Sequence, residues 1–229
     1  GMLAGMVVDP PSSVEVTFPF VIDLFAVFFF SITGSMVAIR RHYDFIGMFV
    51  LALVSGLGGG LLRDGLFIQA GPPAAMQNGF YLVAVLAGCV VTALFFSHVE
   101  RLSKPFLLFD AVGTGTYGVV GASKAFLAGL SIPACIFVGV VNAVGSGLIR
   151  DVLVREEPLL LKPGQYYVIA SFAGVSAFAL FTQVFRLPPL PSSLVGIVVT
   201  FLLRMLAIWF NWSTKPILAP AAPVGGDEE

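Results

Sequence analysis

Gly58-Gly59-Gly60-Leu61-Leu62-Arg63-Asp64 returns 87 residues later as Gly145-Ser146-Gly147-Leu148-Ile149-Arg150-Asp151. The same shift, without a gap, lays Asp23 on Asp110, Gly34 on Gly121, Ala38 on Ala125 and Ser55 on Asn142. Runs of leucine or valine would mean little in so apolar a chain. A matched Arg-Asp pair behind matched small residues means more, because only 11% of the residues are charged. The sequence is therefore an internal duplication.

The repeated unit is a membrane unit. The 229 residues are 58% hydrophobic, with a mean hydropathy of +0.98, whereas a soluble domain is nearer half apolar and a quarter charged. Runs at 19–39, 45–67, 79–98, 106–126, 132–154, 165–185 and 191–210 reach the ~20 residues needed to span a hydrocarbon core. Turn and charge signals separate them: Arg40-Arg41-His42, Gly71-Pro72-Pro73, Glu100-Arg101, Ser131-Ile132-Pro133, Glu156-Glu157-Pro158 and Pro188-Pro189. One unit holds three spans. Three is odd, so the second copy enters the membrane from the opposite side, which makes an inverted repeat. The expected fold is an all-α polytopic membrane protein of seven spans. Its parts are an N-terminal extracytoplasmic segment 1–18, a first repeat 19–98, a linker 99–105, an inverted second repeat 106–185, a seventh span 191–210, and a disordered cytoplasmic tail 211–229.

One face collects Arg40, Arg41, Arg101, Lys104, Arg155, Lys162 and Lys215, and the other only Lys124 and Arg186. The rich face reads as cytoplasmic, which puts the N-terminus outside and the C-terminus inside a cell (inner) membrane. Segment 3–16 lacks the basic start of a signal peptide, so targeting is expected to fall to the first span. Tyr81, Tyr166, Tyr167, Trp209 and Trp212 lie near span ends, as interfacial aromatics do. A net charge of −1 with no basic patch argues against nucleic acid. Cys89 and Cys135 read as small packing residues, and His42 and His98 have no metal-ligand spacing. No nucleophile–base set is evident, so an enzyme is not expected.

The small-residue triplets Gly58, Gly59, Gly60 and Gly145, Ser146, Gly147 admit two readings. Each glycine weakens a helix by about 1 kcal/mol relative to alanine, and a break there would free backbone groups to line a polar path. Alternatively the triplets only allow close helix contact. The repeated charged pairs favour the first. Arg63, Asp64, Arg150 and Asp151 are either structural ion pairs or pore groups, and each arginine is expected to cap carbonyls or meet an acid on another helix. Asp23 and Asp110 read as acids near opposite mouths that attract cations, or as interfacial carboxylates. Lys124, on a glycine-rich and so loosely packed span, either snorkels or moves with voltage. Arg204 is either buried against another helix or snorkels.

With these residues in view, the chain resembles the prokaryotic TRIC (trimeric intracellular cation) channel family over about residues 20–210. The resemblance rests on seven spans, the doubled Gly-x-Gly-Leu-x-Arg-Asp motif, and Ala38-Ile39-Arg40-Arg41 closing the first span. It implies a homotrimer with one pore per subunit between glycine-kinked spans two and five, passing monovalent cations, chiefly K+, with Na+ as a further candidate. It carries the kinks onto Gly58, Gly59, Gly60, Gly145, Ser146 and Gly147, and a voltage-linked basic residue onto Lys124. Ser146 departs from a pure glycine triplet, and either offers the pore a hydroxyl or stiffens the bend. No cofactor, specific phosphoinositide or soluble partner is expected, only membrane lipid. The competing function is a secondary transporter of a small solute such as an amino acid. Inverted repeats serve transporters equally well, and Ser55 and Asn142, with Ser31 and Thr33, are the polar candidates at mid-membrane.

Overall fold

The computed structural model describes residues 13–96, 103–162 and 166–212. His98, Arg101, Lys215, most of the expected N-terminal segment and nearly all of the expected tail lie outside them. The elements are α1 (Ser13–Arg40), α2 (Phe45–Leu62), a π-helical turn (Arg63–Ile68), short α3 (Ala74–Gln77), α4 (Phe80–Phe96), α5 (Ser103–Leu127), α6 (Ile132–Leu153), α7 (Tyr167–Ala179) with a π-helical turn (Leu180–Val184), and α8 (Pro189–Trp209). With the short α3 set aside, seven helices match the seven expected spans. Asp44 starts α2 by accepting the Gly47 amide at 2.8 Å. Left-handed residues end the helices, at corresponding places in the two repeats: His42 (φ 56) after α1 and Gly129 (φ 77) after α5.

Among the described residues five helices are long and apolar enough to cross a membrane, and Phe80–Phe96 is apolar but 17 residues long. Helix α5 is the exception, with 25 residues rich in glycine and threonine. It tolerates that composition because α1, α6, α7 and α8 surround it and lipid does not touch most of it. It begins at Ser103, three residues before the expected run, because Pro105 is acceptable in a helical first turn. Lipid-facing bulk lies instead on the outer helices, where Leu94, Phe95, Phe172 and Leu202 are exposed.

Helix contacts are set by small residues, as expected where lipid removes most of the hydrophobic drive between helices. Gly34 of α1 sits against Ser55 and the Leu51 carbonyl of α2, and its repeat counterpart Gly121 of α5 sits against Asn142 and Gly139 of α6. In α7 and α8 the contact is reciprocal: a Cβ on Gly174 would lie 2.6 Å from the Gly196 carbonyl, and one on Gly196 2.9 Å from the Gly174 carbonyl. The glycines of α5 do not loosen it. A Cβ on Gly118 would come within 2.8 Å of Val175, and one on Gly121 within 2.7 Å of Asn142. The loosely packed helix expected from its composition is instead closely packed.

The glycine triplets require a second correction. Helix α2 stays α-helical through Gly58, Gly59 and Gly60, and α6 through Gly145, Ser146 and Gly147. The irregular backbone comes one turn later: α2 runs into the π turn Arg63–Ile68, and α6 ends at Leu153 with left-handed Arg155 (φ 57) beyond it. The triplets serve close contact: Gly58 meets Ile149, and Gly59 meets Ser146 and the Asn142 carbonyl.

The candidate permeation site

The pseudo-two-fold axis can be located from residues that touch their own repeat counterparts. Gly59 donates its amide to Ser146 Oγ at 2.8 Å, across 87 positions. Phe30 stacks on its counterpart Tyr117 at 5.3 Å and 22°. Around this point everything is packed: Tyr117, Ser146, Asn142 and Ser55 are all fully buried. The Tyr117 hydroxyl donates to the Gly56 carbonyl of α2. Asn142 Nδ2 donates to the Tyr117 carbonyl at 2.6 Å. Ser55 Oγ and Asn142 Oδ1 are buried without a hydrogen-bond partner, a costly state for polar atoms.

On either side of this plug stands a charge cluster. In the first, Arg63 forks onto both oxygens of Asp23 at 3.1 and 3.2 Å, and onto its own neighbour Asp64 at 2.7 and 3.1 Å. Lys124 Nζ reaches Asp23 at 2.7 Å, and the Tyr81 hydroxyl donates to it at 2.8 Å. In the second, Arg150 meets Asp110 at 3.4 Å, Asp151 at 2.9 Å and the Thr33 hydroxyl at 2.9 Å. Arg204 of α8 reaches Asp110 at 3.2 Å and lies over the Tyr167 ring at 4.2 Å. Each cluster holds two cations and two anions. Charges in a low-dielectric interior persist only when paired in this way.

These contacts correct three expectations. Asp23 and Asp110 are not acids open at the mouths, since their exposures are 1% and 0% and both are neutralised by arginine. Arg63 and Arg150 each meet an acid on another helix as expected, but also the acid next in sequence, so the ~100° between adjacent side chains did not prevent pairing. Tyr81 and Tyr167 are buried cluster members rather than interfacial aromatics, while Trp209 and Trp212 are exposed. Arg204 is buried. Lys124 is held in an ion pair at 19% exposure.

A cavity of about 290 Å³ lies at one end, lined by Asp64, Lys124, Gln77 and the loop around Pro72. One of about 200 Å³ lies at the other, lined by Asp151, Arg40, Glu156, Glu157 and Lys162. Helix α1 measures their separation. Asp23 belongs to the first end and Arg40 to the second, so ~25 Å of helix runs between them. Among the described residues no group of His, Cys, Asp or Glu is arranged to hold a metal.

Tyr117 carried no signal as an isolated residue. Its alignment on Phe30 under the repeat shift would have placed it on the axis.

Inverted repeats of three helices, a seventh helix and paired vestibules define a polytopic α-helical membrane protein of the channel and transporter class. The chain belongs to the family whose model is described as "Glycine transporter", which matches it twice, over residues 20–97 and 107–183. The two matches begin 87 residues apart, the period found in the sequence itself. The resemblance to the TRIC family also holds. A TRIC trimeric intracellular cation channel orthologue from Rhodobacter sphaeroides is 32% identical, with a TM-score of 0.77 over 85% of this chain and 99% of that one. A prokaryotic TRIC channel crystallised in 0.5 M KCl is 26% identical, with a TM-score of 0.76 over 86% of this chain and 98% of that one. Among curated relatives, the inner membrane protein YadS of Escherichia coli is 33% identical over 85% of this chain and 92% of its own length. A membrane protein of Deinococcus radiodurans is 30% identical over 81% and 86%.

Proposed function

We propose that this chain is a cation channel passing chiefly K+, and Na+ less readily, along the seam between α2 and α6. The structure is its closed form. The observation that carries the reading is the pair of vestibules on opposite ends of one seam, each floored by an electroneutral cluster and separated by the Gly59, Ser146 and Tyr117 contacts. The likeness to TRIC channels supports the same conclusion. A small displacement of α2 from α6 would join the vestibules and expose Ser55 Oγ and Asn142 Oδ1, which are buried without partners, to the passing ion.

Lys124 is the gating residue of this reading. It leans on Asp23 from the rim of a vestibule, and an ammonium on a flexible stem can leave. A full charge crossing 100 mV is worth about 2.3 kcal/mol, and Lys124 would cross a fraction of that field. Its departure would uncover Asp23 as a negative group. The functional unit is a homotrimer in the inner membrane, each subunit holding its own path, with the Asp64 vestibule outside.

The description of the family model and the two unpartnered midplane oxygens favour a second reading, transport of glycine or a similar small zwitterion. Liposomes separate the two. The channel predicts fast potassium-driven flux with no glycine dependence. Labelled-glycine counterflow, with potassium flux at background, would establish the transporter instead.

A further inference from the structure

The two acids of the repeated Arg-Asp motif have a second set of contacts. Asp64 Oδ2 accepts the backbone amide of Ala74 at 3.0 Å, and Asp151 Oδ2 accepts that of Leu159 at 3.1 Å. These amides follow their acids by 10 and 8 residues. Each belongs to the loop that walls the adjacent vestibule, through Pro72, Ala74 and Gln77 at one end and Glu156, Leu159 and Lys162 at the other. Beneath the first loop a second cavity of about 10 Å³ is enclosed by Asp23, Leu57, Gly60, Arg63, Ala75, Tyr81 and Tyr117. Asp64 lines both cavities and so stands as the partition between them.

We infer that Asp64 and Asp151 are positioning residues that tether these loops as lids, each controlling entry to its own vestibule. The arginine of the motif faces the core acid, and the aspartate, held by that arginine, turns outward to catch the lid. A charged acceptor makes the stronger kind of hydrogen bond, and the neighbouring arginine holds each carboxylate in place at 2.7 and 2.9 Å. The duplication therefore repeats a tether as well as an ion pair. The assignment deepens the permeation reading above.

Both donors can be deleted without touching a charge. Ala74 follows Pro73 at the first position of α3, where proline is favoured. Leu159 occupies the second position of a turn closed by the Leu161 amide on the Pro158 carbonyl, where proline is again favoured. The test uses the full chain in nanodiscs with Cys89 and Cys135 replaced by alanine. Reporters are Leu57→Cys under the first lid and Leu107→Cys in the second vestibule, labelled with a charged methanethiosulfonate.

Ala74→Pro should speed labelling at Leu57→Cys by about tenfold, the effect of one hydrogen bond to a charged acceptor, and leave Leu107→Cys unchanged. Leu159→Pro should do the reverse, while Leu159→Ala, which keeps the amide, should match the parent. Asp64→Glu keeps the charge beside Arg63 and displaces the acceptor, so it should act like Ala74→Pro even if that proline variant fails to fold. Unchanged labelling at Leu57→Cys in a folded Ala74→Pro or Asp64→Glu protein would overturn the tether, and equal acceleration at both ends would overturn its independence. Labelling is read without ion flux, so a silent bilayer and an unmoved labelling rate report separate failures.

Discussion

The two charge clusters begin from the same seven-residue motif and end differently. At one end the second cation is Lys124, 19% exposed and lining a vestibule. At the other it is Arg204, fully buried beneath Tyr167. Lysine is a compact charge on a flexible stem, whereas arginine binds as a planar fork and stacks on rings. The first end also carries the π turn Arg63–Ile68, while at the corresponding place α6 stays α-helical to Leu153 and then ends in a turn. The two ends share the motif and differ in the second cation, a part-exposed lysine at one and a fully buried arginine at the other. The cations that distinguish the ends come from α5 and α8, outside the motif, so the motif alone points to two equivalent charge clusters.

The comparison breaks most decisively at the arginines. Arg150→Ala leaves Asp110 and Asp151 buried with only Arg204 as a cluster cation and should destabilise by about 3–5 kcal/mol, read as a lowered melting temperature in detergent. Arg63→Ala should cost less, because the flexible, part-exposed Lys124 can still serve Asp23, whereas Arg204 is fixed and fully buried. Equal losses would mean the two ends are alike. Next come the small residues of the seam. Gly59→Leu places carbon against the Asn142 carbonyl, 2.8 Å from the glycine's would-be Cβ, while at Gly147 the nearest atom is Tyr167 Oη at 3.2 Å. Overpacking of about 1–3 kcal/mol and loss of flux are expected at Gly59, with a milder effect at Gly147. Unchanged flux in both variants would remove the path from this seam. Lys124→Gln should lower stability less than Arg204→Gln does, because Arg63 and Tyr81 still serve Asp23, yet abolish voltage dependence, while Arg204→Gln should destabilise without that signature. The smallest effect is expected from Ser55→Ala, which removes a hydroxyl with no partner and should be near neutral or slightly stabilising in a melt.

Much of this was legible beforehand. The period of 87 residues, the inverted topology and the charged pairs followed from spacing. What the spacing could not give was which way a side chain faces. Asp23 and Asp110 were read as mouth acids because a one-dimensional pattern locates depth but not rotation about the helix. Tyr81 looked interfacial for the same reason. The glycine triplets read as breaks because propensity describes an isolated helix, whereas here α2 and α6 pack together and stay α-helical through them. Helix α5 looked loose because its glycines have no side chains of their own, and the neighbours that fill that space are distant in sequence.

Cation permeation through the α2–α6 seam is tested most directly by single-channel recording of the purified protein in a planar bilayer under a potassium chloride gradient. The account predicts discrete openings that reverse near the potassium potential and are favoured at one polarity, with the polarity preference lost in Lys124→Gln. A silent bilayer with insertion verified, or openings that reverse near the chloride potential, would contradict it.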